Sequence, residues 1–134
     1  MNRDEATHFL ESHRQAILAT IKGDGRPQMS NVLSVYDEGK LLISITETRA
    51  KYRNLLRDPR ATVLVLGENF WQYLVVDGVA ELIHLPEAMP LLVDYYRKAS
   101  GEHPSWDEYR EAMTRDRRVI ARISIDHVYP LTPE

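Results

Sequence analysis

The sequence contains no cysteine. That excludes a disulfide framework, a thiolate metal site and a thiol nucleophile, and it fits a reducing cytosol. Long apolar runs are missing too. The longest, such as "VLVL" and "YLVV", reach four residues, far below the roughly twenty that a membrane-spanning helix needs. The opening "MNRDEATHFLESHRQ" mixes acids with bases and lacks the apolar centre of a secretory signal. Excess positive charge is absent as well: 17 lysines and arginines stand against 20 aspartates and glutamates, a formal net charge of −3. No global cationic field draws such a chain to nucleic acid. The expectation is a cytoplasmic protein that engages neither membrane nor nucleic acid.

Familiar catalytic constellations are also missing. "GDGRP" lacks the Lys-Ser/Thr that completes a phosphate-binding P-loop, and a hairpin accounts for both its glycines. The five histidines, His8, His13, His84, His103 and His127, show no ligand spacing within one helix, so no metal site is expected. Ser30, Ser34 and Ser44 fall on presumed strands with no turn to expose a nucleophile. An enzyme equipped in this way leaves its chemistry to a cofactor.

What is present reads as one domain over residues 1–134. A chain of this length, 43% apolar, buries roughly two-thirds of its unfolded surface. "RDEATHFLESH" puts Ala6, Phe9, Leu10 and His13 on one helical face, with Asp4 and Glu5 suiting the first turn. "QAILATI", "QMSNVLSVY" and "LLISIT" follow as strands around the turns "KGDGRP" and "DEGK". A helix closed by Asp58-Pro59 comes next, then "ATVLVL" and "FWQYLVVDGVAELI", with a bulge or bend expected at Asp77-Gly78. Two helices span the Pro86 to Asp116 region. Pro90 and Gly101 bracket the first, and Ser105 with Glu108 form a capping-box signature at the second. "RVIARISIDHVYP" supplies the last strand. Hairpin-linked strands in this number favour an antiparallel sheet closing into a barrel.

One stretch stands out chemically. In "ETRAKYRNLLRDPR", Arg49, Lys51, Arg53, Arg57 and Arg60 fall within twelve residues against one acid, Asp58. Arg49 and Lys51 lie at a helix start, where the backbone N–H groups are already positive, so the placement is locally unfavourable unless an anion is shared. Two readings fit the residues: a solvated face with surface ion pairs, or a phosphate site with a guanidinium fork and an ammonium point charge. The polar strand from Gln28 to Ser34 carries hydrogen-bonding side chains on both faces, which suits a polar ligand.

"AILATIKGDGRPQMSNV", "LLISITETRAKYRNLLRDPRATVLV" and "GEHPSWDEYREAMTRDRRV" together resemble the split β-barrel family related to pyridoxamine 5′-phosphate oxidase. Within it they most resemble the actinobacterial branch that uses the deazaflavin coenzyme F-420. The resemblance implies a mainly β (α+β) fold: an antiparallel split β-barrel of six to seven strands with flanking helices, of the FMN-binding split-barrel type. It further implies a homodimer with the cofactor groove between subunits. Arg49 and Lys51 would meet the coenzyme phosphate or its acidic tail, with Arg53 extending that cationic wall. Gln28, Ser30, Asn31 and Thr46 would line the groove, and Trp71 would lie near the ring system. The implied activity is hydride transfer from the reduced deazaflavin to an unsaturated or heteroaromatic small molecule, in a pocket shaped by barrel-rim loops and the helices between Pro86 and Asp116. Two alternatives carry the same fold: an FMN-dependent flavin reductase or pyridoxamine-phosphate oxidase-like enzyme, and a non-catalytic carrier of coenzyme F-420.

Overall fold

The computed structural model describes residues 1–131. Asn2 caps helix α1 (Arg3–Ser12), accepting the Glu5 N–H at 2.8 Å, and Asp4 and Glu5 fill the first turn. Ala6, Phe9 and Leu10 are buried, while His13 follows as the C-cap and stacks on Phe9. Strands β1 (Gln15–Ile21) and β2 (Pro27–Leu33) form the expected hairpin, in register from Ile21↔Pro27 to Gln15↔Leu33.

Two sequence runs that alternate like single strands each break in two. "QMSNVLSVY" breaks at Ser34, whose N–H turns to the Arg14 carbonyl, and β3 (Val35–Asp37) then pairs with β4 (Lys40–Thr46). The turn between them puts Glu38 and Gly39 at positive φ, as a two-residue hairpin loop requires. Helix α2 (Ala50–Arg57) ends at Asp58, before Pro59. Strands β5 (Arg60–Leu66) and β6 (Tyr73–Ile83) follow. Helix α3 (Ala88–Ser100) holds Pro90 in its first turn and stops at Gly101; α4 (Trp106–Arg115) is capped by Ser105, which accepts the Glu108 N–H. The last run breaks after β7 (Arg118–Ser124): Asp126 donates its N–H to the Asp77 carbonyl, and β8 (His127–Tyr129) pairs with β6.

The result is an antiparallel sheet of order β2-β1-β5-β6-β7-β4-β3, with β8 attached to β6. It curls into the half-barrel of a mainly β, α+β fold. Strand β6 is shared by both halves. Its first part pairs with β5 and β8, and from Ala80 it takes β7 as neighbour. The changeover falls at Gly78, where the register with β5 continues unbroken, so the feature is a close crossing and not a bulge. A Cβ at Gly78 would collide with the Ser124 carbonyl oxygen.

Two separate cores form because β4 and β7 are covered on both faces. Leu41, Ile43, Ile45, Val119, Ala121 and Ile123 point into the barrel with Leu18, Val63 and Val76. Leu42 and Ile120 point the other way and pack against Leu92, Val93 and Tyr109 of α3 and α4. Each fully buried Leu or Ile contributes about 1.5–3 kcal/mol relative to exposure.

Candidate functional site

Helix α2 is positioned by a polar clamp. Asn54, 6% exposed, donates from Nδ2 to Thr20 Oγ1 at 3.1 Å and to Gln28 Oε1 at 2.7 Å. Its Oδ1 accepts from Arg57 Nη2 at 3.0 Å, and the same nitrogen donates to the Ile21 carbonyl. The clamp fixes α2 against the β1–β2 hairpin, so the residues one turn earlier have a defined place. Arg49 occupies the N-cap position without a side-chain capping bond, its N–H held by the Thr46 carbonyl. Lys51 Nζ donates to Ser30 Oγ at 3.1 Å.

A third cation joins them from the neighbouring strand. Arg118 begins β7, opposite Thr46. Its Nε is closed to solvent with no hydrogen-bond partner, and its guanidinium makes one long contact among the described residues, Nη1 to Ser44 Oγ at 3.5 Å. Among the described residues, Arg49, Lys51 and Arg118 form no ion pair. Partial burial, and then the Arg49 and Arg118 charges, hold the Lys51 ammonium below the ordinary lysine range.

These cations open on a groove of about 1190 Å³ between the β1–β2 hairpin, the ends of β4 and β7, and helices α3 and α4. Its opposite wall carries Tyr96, His103, Tyr109 and Met113. Tyr95 donates its hydroxyl to the Leu33 carbonyl at 2.8 Å, joining α3 to the end of β2. Tyr109 donates to the Leu92 carbonyl at 2.8 Å. Burial raises the Tyr95 phenol, and burial followed by the neighbouring Tyr95 pushes Tyr109 up to about 12, so both stay neutral.

Of the residues singled out in the sequence, Asn31, Thr46, Arg49 and Lys51 line this groove together. Ser30 lies on the opposite face of β2 from Asn31 and reaches the site through Lys51, and Gln28 is engaged by Asn54. Arg53 is exposed, with Nη1 3.3 Å from the Thr48 carbonyl oxygen. Trp71 is 81% exposed and edge-on to Phe70 in a neighbouring groove of about 570 Å³, which shares Gln15 and Leu66 with the first. Arg118 was not singled out. The signal for it was Ile120, which shares its strand face and is fully buried, so that face of β7 is covered.

The donor set fits an anionic ring-bearing cofactor. Three cations lack counter-charges, an arginine nitrogen is orphaned, and the groove is larger than most small-ligand pockets, which run to about 1,000 Å³.

A split half-barrel with a cationic groove at its rim defines a cofactor-binding class. Residues 3–132 match the family model described as pyridoxamine 5′-phosphate oxidase, and the chain belongs to that family. Among solved structures, an F420 reductase is 25% identical with a TM-score of 0.72, covering 91% of this chain and 94% of its own. A conserved hypothetical protein of Mycobacterium tuberculosis, Rv2991, is 24% identical with a TM-score of 0.79, covering 100% of this chain and 92% of its own. A FAD-binding protein of Mesorhizobium loti is 23% identical with a TM-score of 0.69, covering 96% and 92%. No helix among the described residues is long and apolar enough to cross a membrane.

Proposed function

We propose that this protein is a coenzyme F-420-dependent reductase of unsaturated or heteroaromatic small molecules, acting as a homodimer. The observation that carries the reading is the meeting of Arg49 and Lys51 at the start of α2 without a protein counter-charge. Coenzyme F-420 carries a phosphodiester and a chain of glutamates. Lys51 and the Arg49 fork would take the phosphodiester, and exposed Arg53 would face the acidic tail. Asn31 and Thr46 offer hydrogen bonds to a flat heterocycle along the groove. When bound, the reduced coenzyme supplies the hydride. The chain's own work is to hold the ring against the α3–α4 wall and to exclude water. The 25% identity to an F420 reductase supports the choice of coenzyme. Dimerisation is supported by Phe70 and Trp71, 84% and 81% exposed beside the second groove.

Parallel fluorescence titrations with F-420 and FMN test the reading, since Trp71 lies beside the groove walls. Tighter binding of F-420, with a difference that shrinks in salt, is expected from the added ion pairs. Equal or weaker F-420 affinity would overturn it. Turnover of an unsaturated ketone by the reduced coenzyme separates a reductase from a carrier.

A further inference from the structure

We infer that Arg118 forms the floor of a second subsite in the same groove, one that takes the oxygen of a carboxylate or conjugated carbonyl on a flat, aromatic or unsaturated molecule. The inference rests on the proposed function in one respect, that Arg49 and Lys51 take the coenzyme's phosphodiester.

Charge counting separates the two subsites. A phosphodiester carries one negative charge, whereas Arg49, Lys51 and Arg118 bring three positive ones to one another's neighbourhood; the groove's own carboxylates, Glu108 and Glu111 of α4, pair with none of them, and Arg115 lines the groove as a further cation. Arg118 is the member with a guanidinium nitrogen shut away from water and left without an acceptor. Its Nε is closed to solvent and unpartnered, its contact to Ser44 Oγ is long at 3.5 Å, and no carboxylate among the described residues pairs with it. A half-buried guanidinium with one nitrogen closed to water and no carboxylate partner is costly to maintain, and an anionic ligand on its groove-facing side offsets that cost. Arg118 also enters from a different element, β7, beside Thr46 and not on α2.

The surroundings define the rest of the ligand. The hydroxyls of Tyr95 and Tyr109 both donate to backbone carbonyls, of Leu33 and Leu92, and stay protonated well above neutral pH. These tyrosines therefore offer ring surface, and with Tyr96 and Met113 they line the same groove as Arg118. A planar conjugated body with one oxygen-bearing end matches aromatic groove walls that share the groove with an unpaired guanidinium. If that oxygen gathers negative charge as the conjugated system is reduced, the guanidinium is already placed to stabilise it.

The test uses the full chain without coenzyme and two probes of one shape, cinnamate and cinnamyl alcohol, titrated by calorimetry. Wild type should bind cinnamate at least about tenfold more tightly than the alcohol, and Arg118→Gln should abolish that preference. Lys51→Ala should leave it within about threefold. Cinnamate affinity within about twofold of wild type in Arg118→Gln would overturn the assignment, as would an equal loss in Lys51→Ala. Should Arg118→Gln fail to fold, Arg118→Lys keeps the charge but loses the fork, and a loss of about threefold or more is expected; unchanged binding refutes the role. Arg118-dependent cinnamate binding by a protein that does not bind F-420 would uphold the subsite and sink the coenzyme reading alone. F-420 binding with no cinnamate preference would do the reverse.

Discussion

Lys51 and Ser30 meet between α2 and β2, Nζ to Oγ at 3.1 Å. A hydroxyl orients an ammonium but does not neutralise it, and the nearest charges felt by Lys51 are the like charges of Arg49 and Arg118. The helix start is therefore electrostatically strained in the ligand-free protein. An anion arriving there relieves repulsion as well as forming bonds.

Replacing Lys51 by alanine should weaken F-420 binding by about 1.5–3 kcal/mol, roughly ten- to 150-fold, through loss of one charge-assisted contact. The thermal midpoint should hold or rise slightly, since like-charge repulsion is removed and alanine favours helix. Paired measurement of Kd and midpoint decides this. Joint loss of affinity and stability would assign Lys51 to the fold.

The depressed Lys51 ammonium also sets a pH dependence. Between its lowered native value and the ordinary 10.5, the unfolded chain binds a proton that the native chain does not. Its contribution to stability therefore rises with pH across that window. Affinity for an anion runs the opposite way, falling as pH climbs through the native value. Lys51→Arg should flatten the affinity profile; a slope surviving in that variant would place the titrating group elsewhere.

Asn54→Ala should cost about 1–3 kcal/mol, because it leaves the buried Thr20 and half-buried Gln28 side chains short of a donor. Coenzyme affinity should fall as well, although Asn54 does not line the groove, because α2 loses its anchor. Chemical denaturation and fluorescence titration on one preparation give both numbers. Unaltered affinity in a destabilised variant would show that α2 needs no clamp.

Light scattering at micromolar concentration should report a homodimer, and the double variant Phe70→Ser, Trp71→Ser should shift it towards monomer. Both side chains are exposed and apolar, and their removal disturbs no buried contact. A wild-type monomer that still binds coenzyme would contradict the dimer.

Gly78→Ala should destabilise by about 3 kcal/mol, since the new methyl meets the rigid backbone oxygen of Ser124. Thermal unfolding checks it. A variant as stable as wild type would mean that the crossing of β6 and β7 yields easily.

Much of this architecture was legible because its signals are local. The first-turn acids Asp4 and Glu5, the Ser105 cap, the Glu38-Gly39 turn and the Pro59 stop each act within four residues. The breaks at Ser34 and at Ile125–Asp126 were not, because both runs keep strand alternation and the break is set by distant backbone partners, the carbonyls of Arg14 and Asp77. The site divides in the same way. Arg49 and Lys51 stood out as cations misplaced on their own helix. Arg118 lies among other basic residues in "RDRR", and its role depends on what α3 and α4 cover. The eight strands likewise exceed the expected six to seven through these two breaks, with the fold class unchanged.

The two cores share no residue: the barrel interior packs on one face of β4 and β7, and α3 and α4 pack on the other. The α3–α4 wall of the groove therefore belongs to a module whose side chains can be exchanged while the barrel stays intact. Groove chemistry and barrel stability become separately heritable traits. A directed-evolution library confined to Tyr96, His103 and Met113, all of them groove-lining and none in the barrel core, is the natural place to retune what the groove accepts.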